Sequence, residues 1–228
     1  MNGVSNRVTT SHPHRPGAAA GLAALPASFE GDLPSADGPR ILHHLDLFPG
    51  RVFVLRRQKL GPQESPPLDV IGIWMLSADG GRLMLKDAHR VPIVFAIADS
   101  GDLLMLDEEG RVMRPDFTYS LARLESFLPV EPLLFLAGMY RYTADGGVFR
   151  ECRTGWRLPI ASAGASEALD SAYASTRHEP GEPLFATLWA RIVERPPADS
   201  AKPQMMLVPE RIVGIWPGET CGPARPAN

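Results

Sequence analysis

Two cysteines, Cys152 and Cys221, are the only ones in the 228-residue chain. They bracket one compact C-terminal segment. No Cys-x-x-Cys occurs, so neither a redox dithiol nor a thiolate zinc site is available at the usual spacing. Two lone cysteines at opposite ends of a domain suit a structural disulfide in an oxidising compartment, or two separate buried thiols. A bridge closing a loop of that length is worth roughly 4 kcal/mol in the chain-entropy model. The other residues that could do chemistry lie near the N-terminus. Ser35, Asp37, His43, His44 and Asp46 carry the atoms of a hydrolytic triad. They are crowded into one loop and strand, with no Gly-x-Ser-x-Gly elbow, so no enzyme is read from them. Asp99, Asp102, Asp107 and Glu109 match no calcium-loop spacing and read as turn residues.

The elements that must position these residues are short strands. Gly (21) and Pro (23) make up about a fifth of the chain, which suits many strands joined by tight turns. Turn signals recur at Phe48-Pro49-Gly50, Asp79-Gly80-Gly81, Asp99-Ser100-Gly101 and Glu108-Glu109-Gly110. Between them lie runs of Val, Ile, Leu and Phe. This pattern predicts an antiparallel meander or barrel over residues 28–126. Ile71–Leu76 and Arg82–Lys86 form its clearest hairpin. Alternation along Ile41–Phe48 points His43 inward with Ile41, Leu45 and Leu47, and His44 and Asp46 outward to solvent. Pro129 and Pro132 mark a boundary. Residues 136–222 then read as three strands, a helix and two strands, the order of an OB-type barrel. The helix, Ser166–Ala174, has Ser166 as its expected N-cap and turns Leu169, Ala172 and Tyr173 to one face. The fold class read from this pattern is mainly β, an antiparallel meander or small barrel followed by a five-stranded OB-like barrel carrying one short helix. Residues 1–27 read as a disordered leader, in which no lipid-anchor cysteine or clear signal peptide is visible.

The net charge of −3 gives nucleic acid no electrostatic footprint. Phe185, Trp189, Arg191 and Arg195 fall on the outer face of the fourth OB strand. Because acidic and basic residues nearly balance across 137–222, this face suits a protein partner rather than an oligonucleotide.

Over about residues 28–222 the chain resembles the NlpE family of bacterial envelope lipoproteins. The residues that carry the likeness are Gly138–Asp145, Phe149–Gly155, Arg157–Ile160, Leu169–Tyr173, Glu194-Arg195-Pro196 and Trp216–Cys221. Further forward they are Phe29-Glu30-Gly31-Asp32-Leu33-Pro34, Asp37 and Gly72-Ile73-Trp74. The resemblance implies a small lipocalin-like N-terminal barrel, an OB-like C-terminal domain, a disulfide between Cys152 and Cys221, and a non-enzymatic protein of the periplasm or outer membrane. It also implies an envelope sensor kinase of the Cpx type as partner, and links to surface contact and copper tolerance. One departure matters. The family's Leu-Pro-Cys-Ala-Asp-Cys-Pro-Gly is here Leu33-Pro34-Ser35-Ala36-Asp37-Gly38-Pro39-Arg40. Cu(I) prefers thiolate or thioether ligands, so copper binding does not carry over to this loop. The remaining weak copper candidates are His43 and His44 with Met75, Met84 or Met105, and no other cofactor is implied. The leading expectation is a sensor-adaptor of envelope stress. The alternative is a periplasmic protein that binds a small ligand or metal in the N-terminal barrel.

Overall fold

In the computed structural model, residues 22, 24–35, 38–61, 65–87, 91–113, 119–176, 179–196 and 202–222 are described. Most of the expected leader, with Ala36 and Asp37, lies outside them. The part of that segment that is described is packed. Leu22 and Leu25 lie against the barrel core, and Arg123 donates to the Ala24 carbonyl at 2.8 Å.

Eight strands close an up-and-down antiparallel barrel: β1 (Ala27–Ser35), β2 (Gly38–Phe48), β3 (Val52–Lys59), β4 (Leu68–Leu76), β5 (Arg82–Lys86), β6 (Ile93–Ile97), β7 (Leu103–Met105) and β8 (Ser120–Arg123). Each pairs with the next, and β8 returns to β1. The turn glycines Gly50, Gly80, Gly101 and Gly110 all have positive φ, a conformation that glycine adopts without steric cost. The barrel interior is filled by Phe29, Leu45, Leu47, Phe53, Leu55, Leu83, Leu85, Phe95, Leu103 and Leu121, with Trp74 donating its indole N–H to the Phe48 carbonyl at 3.1 Å. Small barrels of this strand number have room for side chains or for one small ligand, and here side chains take the space.

A second, five-stranded sheet follows in the order β11-β10-β9-β12-β13. Its strands are β9 (Leu133–Thr143), β10 (Gly146–Glu151), β11 (Arg157–Pro159), β12 (Leu184–Arg195) and β13 (Gln204–Trp216), with α1 (Ser166–Ser175) between β11 and β12. A parallel bridge from Ile160 to Leu207 draws β11 to β13 and curls the sheet into the OB barrel. Leu169 and Tyr173 of α1 are buried in the core, with Tyr173 edge-on to Tyr140. The expected cap needs correction: Ala165 is the cap residue and makes no side-chain bond. Ser166 is the first helical residue and is itself buried. No described helix is long and apolar enough to cross a membrane.

Closure of the first barrel depends on Gly31. A Cβ there would sit 2.2 Å from the Ser120 carbonyl oxygen, a backbone atom of β8 that cannot swing aside. Gly31→Ala should therefore push β8 from β1 and lower stability by about 1–3 kcal/mol, read as a lower urea midpoint at unchanged slope. An unchanged midpoint would contradict that account of closure.

Candidate functional site

Two places concentrate polar and covalent chemistry: the junction between the barrels, and the sheet bearing the disulfide. The junction is built on the outer wall of β1–β4. Strand register sets Glu30, His44, Arg56 and Asp69 in one row across four strands. Ser28, Asp46, Val54 and Ile71 form the next row. The expectation that His44 and Asp46 face solvent is corrected here. They do point out of the barrel, but His44 is 7% exposed and Asp46 0%, because the connection 124–132 and the second domain cover them. Phe48, Val52, Val54 and Ile71 join the hydrophobic core of the C-terminal barrel through Phe127, Val130 and Trp156, and the Phe48 and Trp156 rings lie 4.7 Å apart.

Asp46 is the hub. Its carboxylate accepts from Ser28 Oγ at 2.5 Å, His44 Nε2 at 3.1 Å and the Val130 backbone N–H at 3.0 Å. Ser28 Oγ in turn accepts from the Leu128 N–H at 3.0 Å. Asp69 forms a bidentate pair with Arg56 and also accepts from the Leu133 N–H, while Arg56 donates to the Glu131 carbonyl. Side chains of the first barrel thus engage three stations of the connection and the first residue of β9. The arrangement is not a triad: Asp46 sits between serine and histidine, and Ser28 donates to the carboxylate rather than to an imidazole.

The two histidines behave oppositely. His44 places both ring nitrogens against carboxylates, Nδ1 on Glu30 at 3.2 Å and Nε2 on Asp46 at 3.1 Å, an arrangement that donates at both ends only when both nitrogens carry protons. Burial opposes that charge, but the bonds and charges of Asp46 and Glu30 outweigh it and raise its pKa. His43 points into the barrel wall, with Nδ1 donating to the Ile41 carbonyl. Burial, aided by Arg57, lowers its pKa.

The remaining candidates separate. Met75 shares the outward face of β4 with Ile71 and pairs with Met84, whereas His43 shares the inward face of β2 with Leu45 and Leu47. Met75 and His43 therefore lie on opposite sides of the barrel wall and do not converge. Ser35 ends β1, and no described cluster of three or more His, Cys, Asp or Glu side chains could hold a metal ion. Asp102 accepts the Arg123 backbone N–H at the end of β8, and Asp107 accepts the Arg111 backbone N–H beside its own turn.

In the second domain, Cys152 and Cys221 form a disulfide with Cα atoms 5.2 Å apart. Cys152 follows β10, and Cys221 lies five residues past β13, with β9 and β12 between those strands. Residues 217–221 therefore strap across about three strand spacings, some ~14 Å, to reach β10. On the sheet's outer face Trp189 packs on Phe135, their centroids 5.6 Å apart, and Arg191 pairs with Glu210 at 3.1 Å. Gly214 has no Cβ, so the Trp216 indole folds over it and donates to Thr187 Oγ1.

A closed eight-stranded barrel locked through a buried polar junction to a disulfide-strapped OB barrel defines a protein of two joined β-barrel domains. The comparisons specify it further. Residues 29–115 match the NlpE N-terminal domain, and residues 130–222 match the NlpE C-terminal OB domain. Lipoprotein NlpE of Escherichia coli (strain K12) is 31% identical over 208 residues, covering 90% of this chain and 85% of that protein. The chain belongs to the NlpE family. Among solved structures, the Cpx pathway activator NlpE from Escherichia coli is 28% identical, with 86% of this chain and 98% of that chain covered and a TM-score of 0.36. A putative lipoprotein from Shewanella oneidensis is 29% identical, with 44% of this chain and 90% of that chain covered and a TM-score of 0.38.

Two outcomes follow for the junction. Asp46→Ala leaves two backbone or hydroxyl donors and a buried imidazolium without their acceptor. It should cost about 3–5 kcal/mol, measured by denaturant unfolding of the whole chain. The His44 contribution has a definite sign: a raised pKa stabilises fully below the ordinary histidine value of 6.5 and is lost as pH climbs through the raised value. His43 acts in the other direction, so the comparison must isolate His44. The melting-temperature gap between the wild type and His44→Gln should be widest in mild acid and close toward alkaline pH. A gap that widens with pH contradicts the charged latch.

Proposed function

We propose that this protein is a non-enzymatic sensor-adaptor of the bacterial cell envelope, which reports the state of its disulfide to a protein partner. Family membership supports the envelope setting and a partner in Cpx-type signalling. The observation that carries the reading is the strap: a single covalent bond holds residues 217–221 across the sheet, beside exposed aromatic side chains. Failure to form that bond frees the strap from β10 and uncovers the strands beneath it. The Trp189–Phe135 pair and Arg191 stand on that outer face. Aromatic residues and arginine are the usual anchors of protein interfaces. The junction has a complementary role, since it keeps the first barrel attached while the second loosens.

Copper handling is not part of this reading. The loop has Ser35 and Gly38 where the family motif has cysteines, and Met75 stands away from His43.

Loss of the bridge should be large and local. The Cys152→Ser, Cys221→Ser double variant should lose about 4 kcal/mol of C-terminal-domain stability and activate an envelope-stress reporter in cells without added reductant. If the variant melts as the wild type does and leaves the reporter silent, the disulfide is not the sensed element.

A further inference from the structure

A groove of about 370 Å³ lies on the outer face of the OB sheet. Its walls are Arg141, Arg150 and Arg157, with Met139, Val148 and Pro183 as its apolar part. Register makes the arrangement specific. Arg150 stands directly across from Arg157 on one side and Met139 on the other, and Arg141 stands across from Val148. Like charges placed directly opposite in neighbouring strands are destabilising. Here that cost is not relieved internally: among the described residues, no carboxylate pairs with any of the three guanidinium groups. The neighbouring Arg191 and Arg195 are paired, with Glu210 and Glu131. The one acid at the rim, Glu182, accepts the Glu179 backbone N–H at 3.0 Å. The same cross-strand row continues from Met139 to Phe185 and Trp216, the latter 45% exposed.

We propose that this groove docks an extended acidic segment of a partner protein, with carboxylates on Arg150 and Arg157 and an apolar side chain against Met139 and Val148. Guanidinium forks match carboxylates in a bidentate fashion, and they are the groups expected where acidic peptides are read. A lone small anion needs only the arginine end. The row from Arg157 to Trp216 crosses four strand spacings, about 19 Å, the reach of about six extended residues. The row borders the strap that starts after Trp216, so binding is read with the disulfide intact, but the charge match at Arg150 and Arg157 does not rest on the disulfide being the sensed element.

The test uses the full oxidised chain and a fluorescent six-residue peptide alternating acidic and aromatic or leucine side chains, with a lysine-for-acid peptide as control. The acidic peptide should bind saturably, more weakly as salt rises, and the lysine peptide should not bind. Arg150→Ala with Arg157→Ala should weaken binding by about tenfold or more. Replacing both by lysine should weaken it less, because charge is kept and the fork is lost. Both side chains are exposed, and removing them relieves a like-charge pair, so the melting temperature should hold or rise. Absence of saturable binding to the wild type overturns the proposal. So does equal binding by the alanine variant, or full displacement of the peptide by inorganic phosphate at the peptide's own concentration.

Discussion

The structure depends on a fully buried carboxylate. Asp46 has no access to water, so each of its oxygens must be satisfied within the protein. It is satisfied by a serine, a histidinium and one backbone N–H of the inter-domain connection. The connection is therefore part of the folded barrel rather than a free tether. Without that acceptor, the wall bearing Phe48, Val52, Val54 and Ile71 would lose the segment that joins it to the second core. The outer wall of β1–β4 is buried for this reason, and two β domains share one continuous apolar cluster.

A rigid junction and a covalent strap divide the mechanical roles. The junction relies on charges and backbone bonds that respond to proton concentration through His44, whereas the strap responds to thiol oxidation. These are two different chemical inputs on the same second barrel, and the turn from Cys152 to Trp156 brings them close together. The surface proposed for partner recognition is a third one, the outer face of the OB sheet. There exposed aromatic and arginine side chains stand in cross-strand rows that the core does not need.

Much of the scaffold was legible in the sequence because its signals are local. Glycines at Gly50, Gly80, Gly101 and Gly110 mark turns by conformational necessity, and β12 and β13 begin and end where their alternation does. What covers a face is not local information. Alternation along β2 states correctly that His44 and Asp46 share the side opposite Leu45, but polarity was read as solvation. The available hint was the unbroken run Val52-Phe53-Val54-Leu55, which fits a strand buried on both faces. The helix begins at Ser166 as expected, but the cap lies one residue earlier: Ser166 matches the preferred cap chemistry, while the backbone turns at Ala165, just after Gly164 with its positive φ. The Arg150–Arg157 opposition depends on inter-strand register, which no single segment encodes.

Hydrogen exchange of the full chain, compared before and after reduction, tests the central claim most directly. Exchange should rise in β9, β12, β13 and residues 217–222 on reduction. The amides of Leu128 and Val130 and the strands of the first barrel should keep their protection. A protection loss spreading through the junction and the first barrel, or no change in the strapped sheet, would contradict a disulfide that acts as a local switch on a rigidly held domain.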